Sequence, residues 1–301
     1  MQKLIKELEE ANIGTTLIDE PLANHTTWKI GGPADILIEP TDKNALARSM
    51  KLIYKHKVPW TVLGRGSNML VRDGGIRGVV FKLADGFNHL NFNGEEIEVG
   101  AGYSFIRLAV MAGKEGLTGL EFAGGIPGTV GGAVYMNAGA HGSDVSRILK
   151  HAEVLLENGE LVTFTPDDLA FRYRHSILQE IKGIVTGAVF QLSYGDRKEI
   201  ARHMAEYKDR RRHTQPLSMP CAGSVFRNPP GDHAGRLIES AGLKGFRVGG
   251  AQISERHANF IVNCGNATAQ DVLDLMEQAM EIVEQRFQVK LVPEVLVVGE
   301  G

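Results

Sequence analysis

The stretch EFAGGIPGTVGGAVYMNAGAHG, Glu121 to Gly142, decides how the rest of the chain reads. Seven of its residues are glycine, and no charged side chain stands between Phe122 and Ala140. An ordinary surface loop would carry charge. An ordinary helix would not tolerate so many glycines, each costing about 1 kcal/mol relative to alanine. What the segment offers is bare backbone: N–H groups uncovered by side chains, on a chain free to take positive φ. Successive N–H groups of this kind form anion-binding concavities, a common grip on a pyrophosphate. Pro127 fixes one dihedral within the run, so the loop has a shape. It reads either as a phosphate cradle for a nucleotide-type cofactor or as a glycine-rich turn packed against a core.

A second glycine loop favours the cradle. GRGSN, Gly64 to Asn68, follows the strand-like VPWTVL of Val58 to Leu63. Its turn sets Ser67 and Asn68 among bare N–H groups. It is not a Rossmann fingerprint, because Met69 stands where G-x-G-x-x-G needs glycine, and no G-x-x-x-x-G-K-[ST] occurs in the chain. Two different pyrophosphate-type loops about sixty residues apart suggest one long dinucleotide held from two sides.

A chain of 301 residues is too long for one small core and suits two or three packed domains. With 43% apolar and 23% charged residues it has the composition of a soluble globular protein. A formal charge of −3 gives no general pull towards nucleic acid or a membrane surface. Only Cys221 and Cys264 are present, without zinc-site spacing and too few for a disulfide framework, which fits a reducing cytosol. The N-terminal MQKLIKELEEANIG interleaves acids and bases, unlike a signal peptide. No apolar run reaches the roughly 18 residues of a membrane span.

Periodicity predicts a short amphipathic helix over Met1 to Ala11 and a strand over Ala34 to Ile38. A helix capped at Thr41 or Asp42 is expected to run to about Lys57. Another strand is expected from Gly78 to Leu83. Hairpin turns are expected at Asn93-Gly94 and Asn158-Gly159, with a helix between them capped by Ser104. Ile184 to Leu192 reads as a closing strand. Asp196, with Glu199 three residues on, suggests a capping box for a helix whose apolar face is Ile200, Met204 and Tyr207 and which stops before Pro216. A short helix, Gly235 to Ala241, is stopped by Gly242. HANFIVN reads as a strand, Thr268 with Asp271 opens the clearest helix, and VKLVPEVLVVG reads as a final strand whose Pro293 implies an edge or a bulge. Strands alternating with helices and hairpins argue for a mixed α/β protein, not a doubly wound parallel sheet.

Five motifs then occur in order: GRGSN, GGIPGTVGGAVYMNAGAHG, YRHS at Tyr173 to Ser176, AGSVFRNP at Ala222 to Pro229, and PEV at Pro293 to Val295. As a set, from about Asn24 to Val298, they make the chain resemble the UDP-N-acetylenolpyruvoylglucosamine reductases, flavoenzymes of bacterial cell-wall synthesis. The resemblance implies an α+β chain: a two-lobed FAD-binding fold of vanillyl-alcohol-oxidase type plus a smaller α/β substrate-binding domain. The boundaries it suggests are 1–83 for the first lobe, 84–195 for the second and 196–288 for the substrate domain. The strand in 289–301 would return near the active site. FAD would be held non-covalently by Gly64, Arg65, Gly66, Ser67 and Asn68 of the first loop. The second loop would contribute Gly124, Gly125, Ile126, Pro127, Gly128, Thr129, Gly131, Gly132 and Ala133. NADPH would be the co-substrate, and UDP-N-acetylglucosamine enolpyruvate the substrate.

The implied reaction adds hydride to the enolpyruvyl methylene carbon and a proton to its neighbour, with negative charge developing in between. It calls for a proton donor and for groups that bind a carboxylate. By the resemblance, Ser224 is the donor, Arg174 binds the carboxylate, and Glu294 is the third catalytic residue. As a hydrogen-bond donor, Glu294 would serve the enolate directly. As a carboxylate, it would orient Arg174 or Ser224. Tyr173 and Asn228 join Arg174 as substrate contacts. Arg210, Arg211, Arg212 and Arg227 are candidates for the diphosphate, and no motif ranks them. His141 and His175 take no role, and no metal site is expected. Only ILQEIKG, Ile177 to Gly183, separates YRHS from the next strand at Ile184, so the chain resembles the shorter class, which lacks a loop bearing a substrate-covering tyrosine. Two other readings remain: a different oxidoreductase on the same flavin fold, and a flavin or nucleotide-sugar sensor without turnover.

Overall fold

The computed structural model describes all residues, 1–301. Its contacts divide the chain into two compact units. The first comprises Met1–Ile18, Ile36–Gly64 and Gly78–Asp209, and the second Asp19–Asp35, Arg65–Arg77 and Arg210–Gly301. Neither unit is continuous in sequence.

In the first unit, helix α1 (Gln2–Glu10) buries Leu4 and Leu8. Helix α2 (Lys43–His56) starts at Asp42, whose side chain accepts the Ala45 N–H, and ends at Lys57 in the left-handed region. The strand Trp60–Leu63 runs parallel to Val79–Lys82. A five-stranded antiparallel sheet follows, ordered Leu161–Phe164, Leu149–Leu156, Gly183–Gln191, Glu96–Gly100, Leu90–Asn93. Its first hairpin turns at Gly94 and Glu95. Gly94 takes the first central position with φ 62°, and Asn93 remains the last residue of its strand. Ser104 caps helix α3 (Phe105–Lys114). One core holds these elements together, with Ile36, Ile38, Leu46, Phe81, Phe105 and Phe190 fully buried. Each such side chain contributes about 1.5–3 kcal/mol of burial.

Three further features of this part of the chain depart from the sequence reading. Gly14–Pro21 is a strand, although its residues do not alternate cleanly in polarity. Within the glycine loop Val130–Tyr135 forms a short helix, α4, whose first turn Thr129 caps. Helix α5 (Arg197–Thr214) starts at Asp196, which accepts the Lys198 and Glu199 N–H groups. The Glu199 carboxylate bonds Arg202 at 2.7 Å instead of turning back, so only half of the expected box forms.

The second unit has its own core. Trp28 is its largest buried residue, donating Nε1–H to the Ile261 carbonyl at 2.8 Å. Around it pack helix α6 (Ala234–Ser240) and helix α7 (Ala269–Phe287). A three-stranded antiparallel sheet joins them, Arg247–Val248, Ala251–Ile253, Ile261–Asn263. The predicted capping box is present: Thr268 accepts the Asp271 N–H and Asp271 accepts the Thr268 N–H. Asp73 adds a second carboxylate, bonding the Ala269 and Gln270 N–H groups. Of the expected strand HANFIVN, only Ile261–Asn263 is extended. Residues 254–260 form a tight loop in which Ser254 Oγ accepts the Arg256 N–H and the Ser254 N–H donates to the Phe260 carbonyl. The final strand is likewise short, Leu296–Val298, parallel to Met69–Val71, with an isolated bridge at Pro293.

His257 lies in that loop, its ring edge-on to Phe260 at 4.8 Å, and its Nδ1 accepts the Asn259 N–H. Burial pushes its pKa below the usual histidine value; Lys244 adds to the shift and Glu239 opposes it. A base with a lowered folded-state pKa takes up its proton in the unfolded chain first. Its contribution to stability is therefore complete above about pH 6.5 and is lost as the pH falls below that value. Denaturant unfolding from about pH 7.5 to about pH 5 is expected to show a smaller loss of stability in His257→Asn than in the parent protein. Parallel curves would remove His257 from the pH dependence.

Candidate active site

The first unit builds the larger glycine loop by tying its backbone to the turn before α3. The Val130 N–H donates to Tyr103 O and the Gly131 N–H to Ala101 O, both at 2.9 Å, and the Phe105 N–H donates to Gly128 O. A Cβ at Gly131 would meet the Ala101 methyl at 3.0 Å, a contact that only a small shift of Ala101 would relieve. Thr129 is the pivot. Its Oγ1 accepts the Gly132 N–H at the start of α4. A Cβ on Gly64 would stand 2.9 Å from that oxygen. The two loops singled out in the sequence thus meet at Gly64 and Thr129.

YRHS is anchored on the far end of the same loop. Arg172 and His175 pair through both backbone bonds, leaving Tyr173 and Arg174 at the tip of a tight hairpin. Arg174 takes φ 55°, a left-handed conformation that a non-glycine residue adopts only where its surroundings enforce it. Here those surroundings are Asn137, whose Nδ2 donates to Arg172 O, Ser176 Oγ, which donates to Tyr135 O, and Gln179, which donates to Arg174 O. The half-buried guanidinium donates to the Gly139 carbonyl at 2.7 Å and lies 5.0 Å from the ring centre of Tyr173, which is 54% exposed. His175 Nε2 pairs with Glu180, while its buried Nδ1 has no partner. Beyond Ser176 a single short turn, Ile177–Gln179, leads into the strand Gly183–Gln191, with no inserted loop.

The second unit gathers the remaining motifs. Gly66, at φ 60°, lies so close to His25 that a Cβ would stand 2.6 Å from its carbonyl, and the Gly66 carbonyl accepts the Thr27 N–H. Thr27 Oγ1 donates to Cys221 O at 2.7 Å. Asn68 Nδ2 donates to the Glu294 carbonyl and Asn68 O accepts the Leu296 N–H, so the asparagine clamps the last strand with both ends. The Glu294 N–H donates to Val225 O at 2.7 Å and the Arg227 N–H to Val292 O. Ser224 therefore enters a segment laid against the stretch that carries Glu294 and leads into the final strand. Asn228 is exposed, and its Oδ1 accepts the Ala234 N–H, capping α6. Of the four arginines, Arg210 and Arg212 are exposed and Arg211 and Arg227 half-buried. Burial lowers the Arg211 pKa, and Arg227 Nε is buried without a partner.

The sequence reading singled out neither Asn137 and Gly139, which hold the Arg174 turn, nor Thr27 and Asn259, which hold the loops of the second unit. An asparagine or threonine that bonds distant backbone leaves no periodic or spacing signal.

Comparison with known proteins gives two family matches. Residues 215–298 match the C-terminal domain of UDP-N-acetylenolpyruvoylglucosamine reductase, and residues 34–165 match an FAD binding domain. The chain is 55% identical over 301 residues to the UDP-N-acetylenolpyruvoylglucosamine reductase of Bacillus pumilus, covering 100% of this chain and 99% of that one. Its fold is similar to the crystal structure of UDP-N-acetylenolpyruvylglucosamine reductase from Thermus caldophilus, with TM-score 0.81, 40% identity and coverage of 95% and 98%. Berberine bridge enzyme from Eschscholzia californica is similar in fold alone, with TM-score 0.52, 13% identity and coverage of 64% and 44%. No helix is long and apolar enough to cross a membrane.

Gly64→Ala is expected to push Thr129 Oγ1 off the Gly132 N–H. Losing a cap of this kind costs about 0.5–2 kcal/mol, or roughly 2- to 30-fold in the affinity of whatever the loop binds. Flavin absorbance per protein after dialysis, compared with the parent, checks this; equal flavin retention would mean that Thr129 is not the pivot.

Proposed function

The chain belongs to the UDP-N-acetylenolpyruvoylglucosamine reductase family, and from that membership we propose that it reduces UDP-N-acetylglucosamine enolpyruvate to UDP-N-acetylmuramate for peptidoglycan synthesis, with NADPH as reductant, in the cytoplasm. Its fold is α+β, an FAD-binding fold of vanillyl-alcohol-oxidase type with a smaller α/β domain. We also keep the three-part functional division, with residues 1–83 and 84–195 serving the flavin and 196–288 the substrate.

The glycine loops fit FAD. A Cβ at position 64 would meet the Thr129 hydroxyl at 2.9 Å and one at position 131 the Ala101 methyl at 3.0 Å, so bare main chain at both positions suits a pyrophosphate. Gly64 to Asn68 and Gly124 to Ala133 would hold it. When bound, FAD supplies the hydride that adds to the enolpyruvyl methylene carbon.

Arg174 binds the substrate carboxylate. Its side chain is steadied by Gly139 O and Tyr173, and a guanidinium fork matches two carboxylate oxygens and stays charged. Ser224 holds the proton that ends on the α-carbon. A hydroxyl is protonated at neutral pH, and a basic enolate draws the proton from it downhill. Glu294 supplies a hydrogen-bonding group at the developing charge. Asn228 contacts the nucleotide through Nδ2, since its Oδ1 is engaged with Ala234. Arg211 and Arg227, the two half-buried arginines, bind the diphosphate. The observation that carries this reading is the pairing of the Val225 carbonyl with the Glu294 N–H, which sets the Ser224 segment beside the Glu294 segment that leads into the final strand.

Ser224→Ala is expected to leave flavin reduction by NADPH nearly unchanged and to slow reoxidation by the enolpyruvyl sugar nucleotide by about 10²–10⁴-fold. Rapid mixing of each half-reaction tests it; equal losses in both would make Ser224 structural. Arg174→Lys keeps a charge but loses the fork. Its expected cost is roughly 2–4 kcal/mol in kcat, because the charge it meets grows towards the transition state. Steady-state kinetics at saturating NADPH with varied sugar nucleotide measures it, and a raised KM with unchanged kcat would leave Arg174 an ordinary binding residue.

A further inference from the structure

The backbone beside Ser224 is held by an unusual device. Val225 and Phe226 are buried, so each of their backbone polar groups needs a partner. On one side the segment leading into the final strand supplies it: Val225 O accepts the Glu294 N–H at 2.7 Å. On the other side no strand is present, and a single residue does the same work. The Val225 N–H donates to Asn259 O, the Phe226 N–H donates to Asn259 Oδ1 at 2.9 Å, and Asn259 Nδ2 donates to Phe226 O at 2.8 Å. Three of the four backbone polar groups of Val225 and Phe226 thus pair with Asn259, which is 4% exposed.

Asn259 is itself fixed. Its N–H donates to His257 Nδ1, and it sits in the tight loop closed by the Ser254 N–H to Phe260 O bond. Only a primary amide offers a donor and an acceptor at the spacing of one peptide group. Aspartate would accept but not donate, and alanine would do neither.

We propose that Asn259 is a positioning residue for the proton donor: by gripping Val225 and Phe226 it sets where the Ser224 hydroxyl stands. This rests on the reading of Ser224 as donor. A hydroxyl that gives its proton to carbon must stand within hydrogen-bond reach of that carbon, and a displacement of about 1 Å can cost on the order of 100-fold. Flavin reduction by NADPH does not use that proton and so does not depend on the grip.

The test is a double-mutant cycle on the FAD-loaded protein with Ser224→Ala and Asn259→Ala, measuring both half-reactions, bound flavin per protein and the thermal unfolding midpoint. Asn259→Ser, which retains one short hydroxyl, runs in parallel and carries the cycle if the alanine variant does not accumulate folded. Asn259→Ala is expected to slow reoxidation by the enolpyruvyl sugar nucleotide about 10- to 100-fold, with flavin reduction changed by less than about 2-fold. In the Ser224→Ala background the same substitution is expected to slow reoxidation no further than about 2-fold, because the group it positions is gone. Losses that multiply in the double variant, equal losses in both half-reactions, or no loss at all would overturn the positioning role. Full-speed reoxidation by Ser224→Ala alone would instead remove the donor reading on which it rests.

Discussion

Everything in the first unit follows from the need to bring two bare backbones together and still satisfy their hydrogen bonds. Glycine removes the side chains that would keep the segments apart, but it leaves N–H and C=O groups that cannot stay unpaired once buried. The solution is local. Tyr103 and Ala101 accept from Val130 and Gly131, Thr129 caps Gly132, and Gly64 approaches so closely that a methyl group there would press on the Thr129 hydroxyl. The loop is thereby tied down through its own main chain. The same loop then serves as an anchor, since Tyr135, Asn137 and Gly139 hold the hairpin that carries Arg174.

The second unit meets the constraint differently. Its strands are short, so side-chain amides stand in for missing ladder partners. The Asn68 amide donates to Glu294 O, the Asn259 amide pairs with both backbone groups of Phe226, and the Asn263 amide donates to Trp28 O. An amide carries donor and acceptor together, as a peptide group does, so one residue can end a sheet without leaving buried groups unpaired. The functional segment is consequently fixed by a few polar contacts. Each such contact in a buried setting is worth more than its net average, because losing one partner strands the other.

Some of this was legible in the sequence and some was not, for identifiable reasons. The Asp42, Ser104 and Thr268 caps were readable because a cap acts within three residues of itself. The face of α7 was readable because burial imposes a period, and the closing strand because it is a short continuous apolar run buried nearly throughout. The strand Gly14–Pro21 carries no such period, since its residues are mostly exposed. Helix α4 was hidden by its glycines: propensity argues against it, and the Thr129 cap with the bonds to Ala101 and Tyr103 outweighs propensity. Glu199 misled because Arg202, one turn on, competes for its carboxylate. In the site, motif order pointed to Ser224, Arg174 and Glu294. The residues that hold them come from elsewhere in the chain, and nothing local marks Asn137 or Asn259.

The central claim is that this chain passes electrons from NADPH to an enolpyruvyl sugar nucleotide through a bound flavin. An anaerobic titration tests it most directly. The account predicts a yellow protein whose flavin band is bleached by one equivalent of NADPH and restored by about one equivalent of UDP-N-acetylglucosamine enolpyruvate, with UDP-N-acetylmuramate formed in step. A flavin that NADPH bleaches but that the sugar nucleotide leaves reduced until oxygen is admitted would contradict it.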